Sequence, residues 1–69
     1  MKVTKYQVII VFTLFDRLFK IDDEIFISDS YHCMDGTFDY ARKVFDGNGE
    51  FLGRIRDSYF REIKYLFKE

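Results

Sequence analysis

Proline and tryptophan are absent from this 69-residue chain, and cysteine occurs once, at Cys33. A lone cysteine excludes an intramolecular disulfide, so packing alone must hold the fold, the usual condition in a reducing compartment. The expected location is the cytoplasm. With no proline to blunt a strand edge, exposed edges must be guarded by charge, by twist or by closure of the sheet. Histidine is equally scarce. The pair His32-Cys33 falls short of the four ligands of a closed zinc site. As a nucleophile and base it would need both side chains in hydrogen-bond reach plus a third group to orient them. So short a chain encloses little pocket, and the expectation is a protein that is no enzyme, with no metal and no cofactor. Long hydrophobic runs are missing too. Val8 to Phe15, broken only by Thr13, is far shorter than the roughly 20 residues a membrane-crossing helix needs. Lys2 and Lys5 precede this run as in a signal peptide, but no small-residue cleavage site follows and Asp16-Arg17 ends it abruptly.

Aromatics are what the chain has in excess, with nine Phe and five Tyr making up 20% of it. A domain of this size buries only roughly 60% of its unfolded surface, so each aromatic, removing about 150–250 Å² from water, replaces several aliphatic side chains. No linker, repeat or low-complexity tract divides the chain, and residues 1–69 read as one small β domain.

Alternation sets the expected elements. A long first strand is expected within Tyr6 to Leu14, its Val, Ile and Phe suiting a strand buried on both faces. A turn near Asp16-Arg17 and a strand at Glu24 to Ser28 follow, then a polar connection from Asp29 to Gly36. Phe38 to Phe45 and Glu50 to Arg56 both show period two and flank Asp46-Gly47-Asn48-Gly49, whose residues tolerate positive φ, so a β-hairpin is predicted. Asp46, Asn48 and Glu50 also mimic the start of a calcium loop. Phe51 nevertheless occupies the sixth position, where such a loop requires Gly, and turn chemistry accounts for the same residues. From Asp57 to Glu69 two periods compete. Asp57 or Ser58 suits a helix cap, and Tyr59, Phe60, Ile63, Leu66 and Phe67 form a helical stripe, while Ile63, Tyr65 and Phe67 alternate as a strand. The leading expectation is one helical turn at Ser58 to Arg61 followed by a short strand; the alternative is an α+β domain with a C-terminal helix on an antiparallel sheet. The predicted core is Val8, Ile10, Phe12, Ile25, Ile27, Tyr40, Val44, Phe51 and Ile55, each on the apolar parity of its strand.

Three segments together carry a resemblance: Lys20-Ile21-Asp22-Asp23-Glu24-Ile25-Phe26-Ile27, then Val44 to Ile55 with its Asp46-Gly47-Asn48-Gly49 turn, then Ser58-Tyr59-Phe60-Arg61-Glu62-Ile63. They resemble the small SH3-like β-barrels of bacterial and phage proteins, in which a G-D-x-V/I-x-V segment follows the first strand. A distal hairpin then carries D-x-x-G, and an aromatic 3-10 turn precedes the last strand. The resemblance covers about two-thirds of the chain and implies a barrel of about five strands and a binding role rather than catalysis.

The net charge is −1, so no global field draws nucleic acid. The charges are nevertheless segregated. From Asp22 to Asp39 the chain has Asp22, Asp23, Glu24, Asp29, Asp35 and Asp39 with no Lys or Arg, whereas Arg42, Lys43, Arg54, Arg56, Arg61, Lys64 and Lys68 follow Tyr40. The first functional reading is a phage or mobile-element interaction module that binds and modulates, by inhibition, a cellular protein, such as one with a basic or DNA-binding surface. It assigns the contact to Asp22, Asp23, Glu24, Tyr31, Asp35, Phe38 and Asp39, since clustered like charge is hard to explain by cross-strand pairing. An alternative uses Arg42, Arg54, Arg56 and Tyr59 as phosphate-binding and stacking groups for nucleic acid. A third is a structural subunit that dimerises or assembles further through an unguarded edge. No membrane partner is expected.

Overall fold

A computed structural model describes residues 2–32 and 40–69. The protein is a mainly β domain of antiparallel strands with a short helix near its C-terminus. In chain order the elements are β1 (Val3–Val8), β2 (Phe12–Leu14), β3 (Arg17–Phe19), β4 (Glu24–Ser28), β5 (Tyr31–His32), β6 (Tyr40–Asp46), β7 (Phe51–Arg56), α1 (Asp57–Ile63), a 3-10 turn at Lys64–Leu66, and β8 (Phe67–Lys68). β1 lies between β8 and β4, β6 follows β4, and both β7 and β5 pair with β6. β2 and β3 form a separate hairpin between the first two strands of this run. The strand at Glu24–Ser28, the glycine hairpin, the helical turn and the short last strand follow in the expected order. The described residues nevertheless form eight strands rather than about five: β2 and β3 make a hairpin where a turn was expected, and β5 lies in the expected polar connection.

The core gathers Val8, Leu14, Phe19, Ile25, Ile27, Val44 and Ile55 from the strands with Phe60, Ile63, Leu66 and Phe67 from the C-terminal segment, and Tyr6, Phe12 and Leu52 pack against it. Aromatic rings bind the two halves. Phe12 stacks on Phe19 at 5.1 Å, and Phe67 lies 5.2 Å from Tyr6 and 5.9 Å from Phe60. A tight aromatic centre of this kind lets a small domain bury enough surface to be stable.

Val8, Ile25, Ile27, Val44 and Ile55 are buried as predicted, whereas Ile10, Tyr40 and Phe51 are exposed. Each difference has its own cause. The expected single strand from Tyr6 to Leu14 is broken at residues 9–11, because the N–H groups of Ile9 and Ile10 both donate to the Leu66 carbonyl, at 2.8 and 3.2 Å. The chain therefore bends over the 3-10 turn and leaves Ile10 beyond the core. Tyr40 opens β6 opposite His32, past the end of the apolar cluster, with its ring against the imidazole at 5.8 Å. Phe51 is turned out by a β-bulge. Val44 pairs with Gly53 and Phe45 with Phe51, so Leu52 is the extra residue. One inserted residue reverses the parity of a strand. Leu52 consequently reaches the core and Phe51 the opposite face. The helix is longer than the single turn expected, and neither proposed cap operates: Arg56 is the N-cap residue with no side-chain cap bond, and Asp57 is already helical.

The β2–β3 loop is Phe15-Asp16, with φ of 55° and 58°. Positive φ at both central residues is the type I′ hairpin geometry, and it is strained for a bulky side chain. The Phe15 ring offsets this by lying across Gly53 of β7. A Cβ at Gly53 would sit 2.5 Å from Phe15 Cε1, so that position admits no side chain while the ring remains.

Candidate binding surface

The acidic stretch is largely engaged in shaping its own turn. Asp23 N–H donates to the Lys20 carbonyl at 3.0 Å, while the Asp23 carboxylate accepts the Lys20 N–H at 2.8 Å. Asp22 supplies the positive φ of this turn, 76°, and its carboxylate accepts from Gln7 Nε2 at 2.9 Å. Glu24 pairs with Lys5 across β4 and β1 at 3.2 Å, both side chains exposed. Together with Tyr6 and Glu69, Lys5, Gln7, Asp22 and Glu24 line a groove of about 440 Å³. Burial, then the nearby charge of Glu69, holds the Tyr6 phenol above its ordinary pKa, so it stays neutral and a hydrogen-bond donor. Tyr31, also assigned to the acidic surface, is half-buried, and its hydroxyl is enclosed without a hydrogen-bond partner among the described residues. Its ring faces the Lys43 ammonium at 5.8 Å. Asp35, Phe38 and Asp39 lie outside the described residues.

The cations proposed for nucleic acid are divided by the sheet. Arg42 stands opposite Ile55 and so points inward. Its guanidinium donates to Asp57 Oδ1 at 2.7 Å and to the Ser28 carbonyl at 3.1 Å, and covers the Phe60 ring at 4.3 Å. With Arg61 also on Asp57 at 3.0 Å, this is the clamp that fixes α1 to β6. Arg54 and Arg56 lie on the other face of β7, where Arg54 stands opposite Lys43 and Arg56 opposite Ala41. Tyr59 is exposed on α1, apart from that strand face.

What sequence reasoning did not assemble is an aromatic row across the outward face of the sheet. Lys5, Phe26, Phe45 and Phe51 are successive cross-strand partners from β1 through β4 and β6 to β7. Phe26 and Phe45 are half-buried, and Phe51 remains 50% exposed with its ring edge-on to Phe45 at 5.7 Å. One row along β6, Lys43 and Arg54 form an adjacent pair of cations. The parity of Phe45 with Lys43 was a visible signal; the bulge that brings Phe51 to the same face was not.

This face has a firm support behind it. The side chain of Asp46, only 3% exposed, accepts the N–H groups of Asn48 and Glu50 at 2.9 Å each and the Arg17 guanidinium at 3.2 Å. These bonds, led by that from Glu50, hold its carboxyl below the ordinary pKa of 3.8. Asp46 thereby shapes the β6–β7 turn, where Gly49 takes φ 83°, and ties it to the β2–β3 hairpin. Its oxygens are thus committed to the turn rather than open to a cation, and no cluster of three or more metal-binding side chains occurs among the described residues. No helix among those residues is long and apolar enough to cross a membrane. No protein-family model, curated protein or solved structure matches this chain.

Proposed function

We propose that the chain is a non-enzymatic protein-interaction module of the SH3-like kind whose working surface is the outward face of β4, β6 and β7. The observation that carries this reading is Phe51, a large aromatic held half-exposed against Phe45 and beside two cations on a braced hairpin. Rigid aromatics next to arginine are the side chains that most often anchor an interface. The acidic groups Asp22, Asp23 and Glu24 border this face and act on approach rates and partner choice, with Glu24 the most available to a partner. The test is affinity capture from a lysate of the source organism on immobilised wild-type, Phe51→Ala and Glu24→Lys protein. A protein retained by wild type and lost from a Phe51→Ala protein that still folds by circular dichroism supports the module; identical capture by wild type and Phe51→Ala refutes it.

A second reading is favoured by one observation: Lys43 and Arg54 flank Phe45 and Phe51 in the way that phosphate and stacking contacts for single-stranded nucleic acid require. Salt-sensitive binding of an oligonucleotide, lost on Arg54→Glu, would establish it.

A further inference from the structure

Resting on the reading of the β4–β6–β7 face as a protein-docking surface, we infer that its ligand is a short extended segment carrying one carboxylate two residues from an apolar side chain. The spacing follows from the strand geometry. Phe45 and Lys43 are two residues apart on β6, about 6.5–7 Å along the strand, and each has a partner of its own kind on β7, Phe51 and Arg54. An extended ligand repeats at the same distance on one of its own faces, so an anchor against the Phe45–Phe51 edge brings a side chain two positions away over Lys43 and Arg54. The Arg54 guanidinium offers a planar fork for a carboxylate, and Lys43, its ammonium close to the Tyr31 ring, adds a second charge.

The surroundings select a discrete acid over a polyanion. The chain is net −1. Glu24 lies one row beyond Phe26, Glu50 immediately precedes Phe51, and Asp29 is exposed at the end of β4. A phosphodiester chain, with a charge at every nucleotide, meets Glu50 and then Glu24 where it extends past Phe45 and Phe51, although Arg56 adds a cation at the other end of the face and Lys5 pairs with Glu24. A protein segment with one carboxylate and an aliphatic anchor does not meet those carboxylates. Local positive charge inside a negative field thus favours a short acidic-apolar motif.

The test is selection of a random peptide display library on the intact protein, the enriched peptides then being measured on Phe51→Ala and on Arg54→Glu, each checked for folding by circular dichroism. Arg54→Gln substitutes should Arg54→Glu fail to fold. The expected result is enrichment of peptides with Asp or Glu two positions from Leu, Ile, Met or Phe, binding wild type at least about tenfold more tightly than either variant. Enriched peptides that require Phe51 but hold no acid, or that bind Arg54→Glu as well as wild type, overturn the inferred ligand and leave the docking face standing. Peptides indifferent to Phe51, or no enrichment, overturn the docking face as well. Tight binding of oligothymidine, lost on Arg54→Glu, assigns the face to nucleic acid and overturns the inference.

Discussion

The contact between Phe15 and Gly53 can be measured in isolation by a double-mutant cycle. Phe15 is 39% exposed, so about three-fifths of its surface is covered, and its ring lies in the space that a Gly53 side chain would take. A fully buried Phe removes roughly 150–250 Å² from water; three-fifths of that, at about 25 cal/mol per Å², gives an upper bound of about 4 kcal/mol. A displaced ring finds other contacts and the denatured chain is itself partly collapsed, so Gly53→Ala should cost about 1–2 kcal/mol. With Phe15→Ala already present the new Cβ meets no ring. The same substitution should then cost at least about 1 kcal/mol less, and any backbone strain at position 53 cancels in the cycle. Urea unfolding followed by far-ultraviolet circular dichroism and tyrosine fluorescence, the latter unobscured because the chain has no tryptophan, provides the four stabilities. At an m value of about 1 kcal/mol/M the coupling appears as a midpoint displacement of about 1 M. Additivity within about 0.3–0.5 kcal/mol would refute the claim that the ring occupies the space of a Gly53 side chain.

Ile25→Ala, at a fully buried position opposite Tyr6, should lose about 2–5 kcal/mol by chemical denaturation, against less than about 0.5 kcal/mol for Leu18→Ala on the exposed face of β3. Because the Asp46 carboxyl is held below 3.8 when folded, the stability it contributes is present above the unfolded carboxylate range and is lost as pH falls through the folded value. Wild type should therefore melt above Asp46→Asn near neutral pH, and the difference should begin to shrink below about pH 4 and vanish only below the lower folded value; a constant difference would show that the charge is not what matters. Asp23→Lys should destabilise the protein by about 0.5–1.5 kcal/mol because the exposed turn loses the Lys20 N–H bond, while Glu24→Lys, which breaks only an exposed pair, should shift stability by less than about 1 kcal/mol in the same denaturation assay.

Local pattern alone determined much of the fold. Alternation placed β4 and β7 to the residue or nearly so, glycine and asparagine placed the β6–β7 turn, and the spacing after Asp57 placed a helical turn at Ser58 to Arg61 before a short strand, because these depend on neighbours a few residues away. Tertiary structure decided which face of each strand works. A single inserted residue, Leu52, exchanged Phe51 for itself in the core, and such a bulge is set by the match between two strands rather than by either one. The Leu66 carbonyl, far along the chain, broke the first strand at Ile9. Arg42, counted with Arg54 and Arg56 by composition, was drawn inward by Asp57 and Phe60, contacts that exist only once α1 docks. The Phe26, Phe45 and Phe51 row likewise needs the register of three strands. Charge and periodicity specify what each residue prefers; pairing between distant strands specifies which residues share a surface, and a binding face is a property of that sharing.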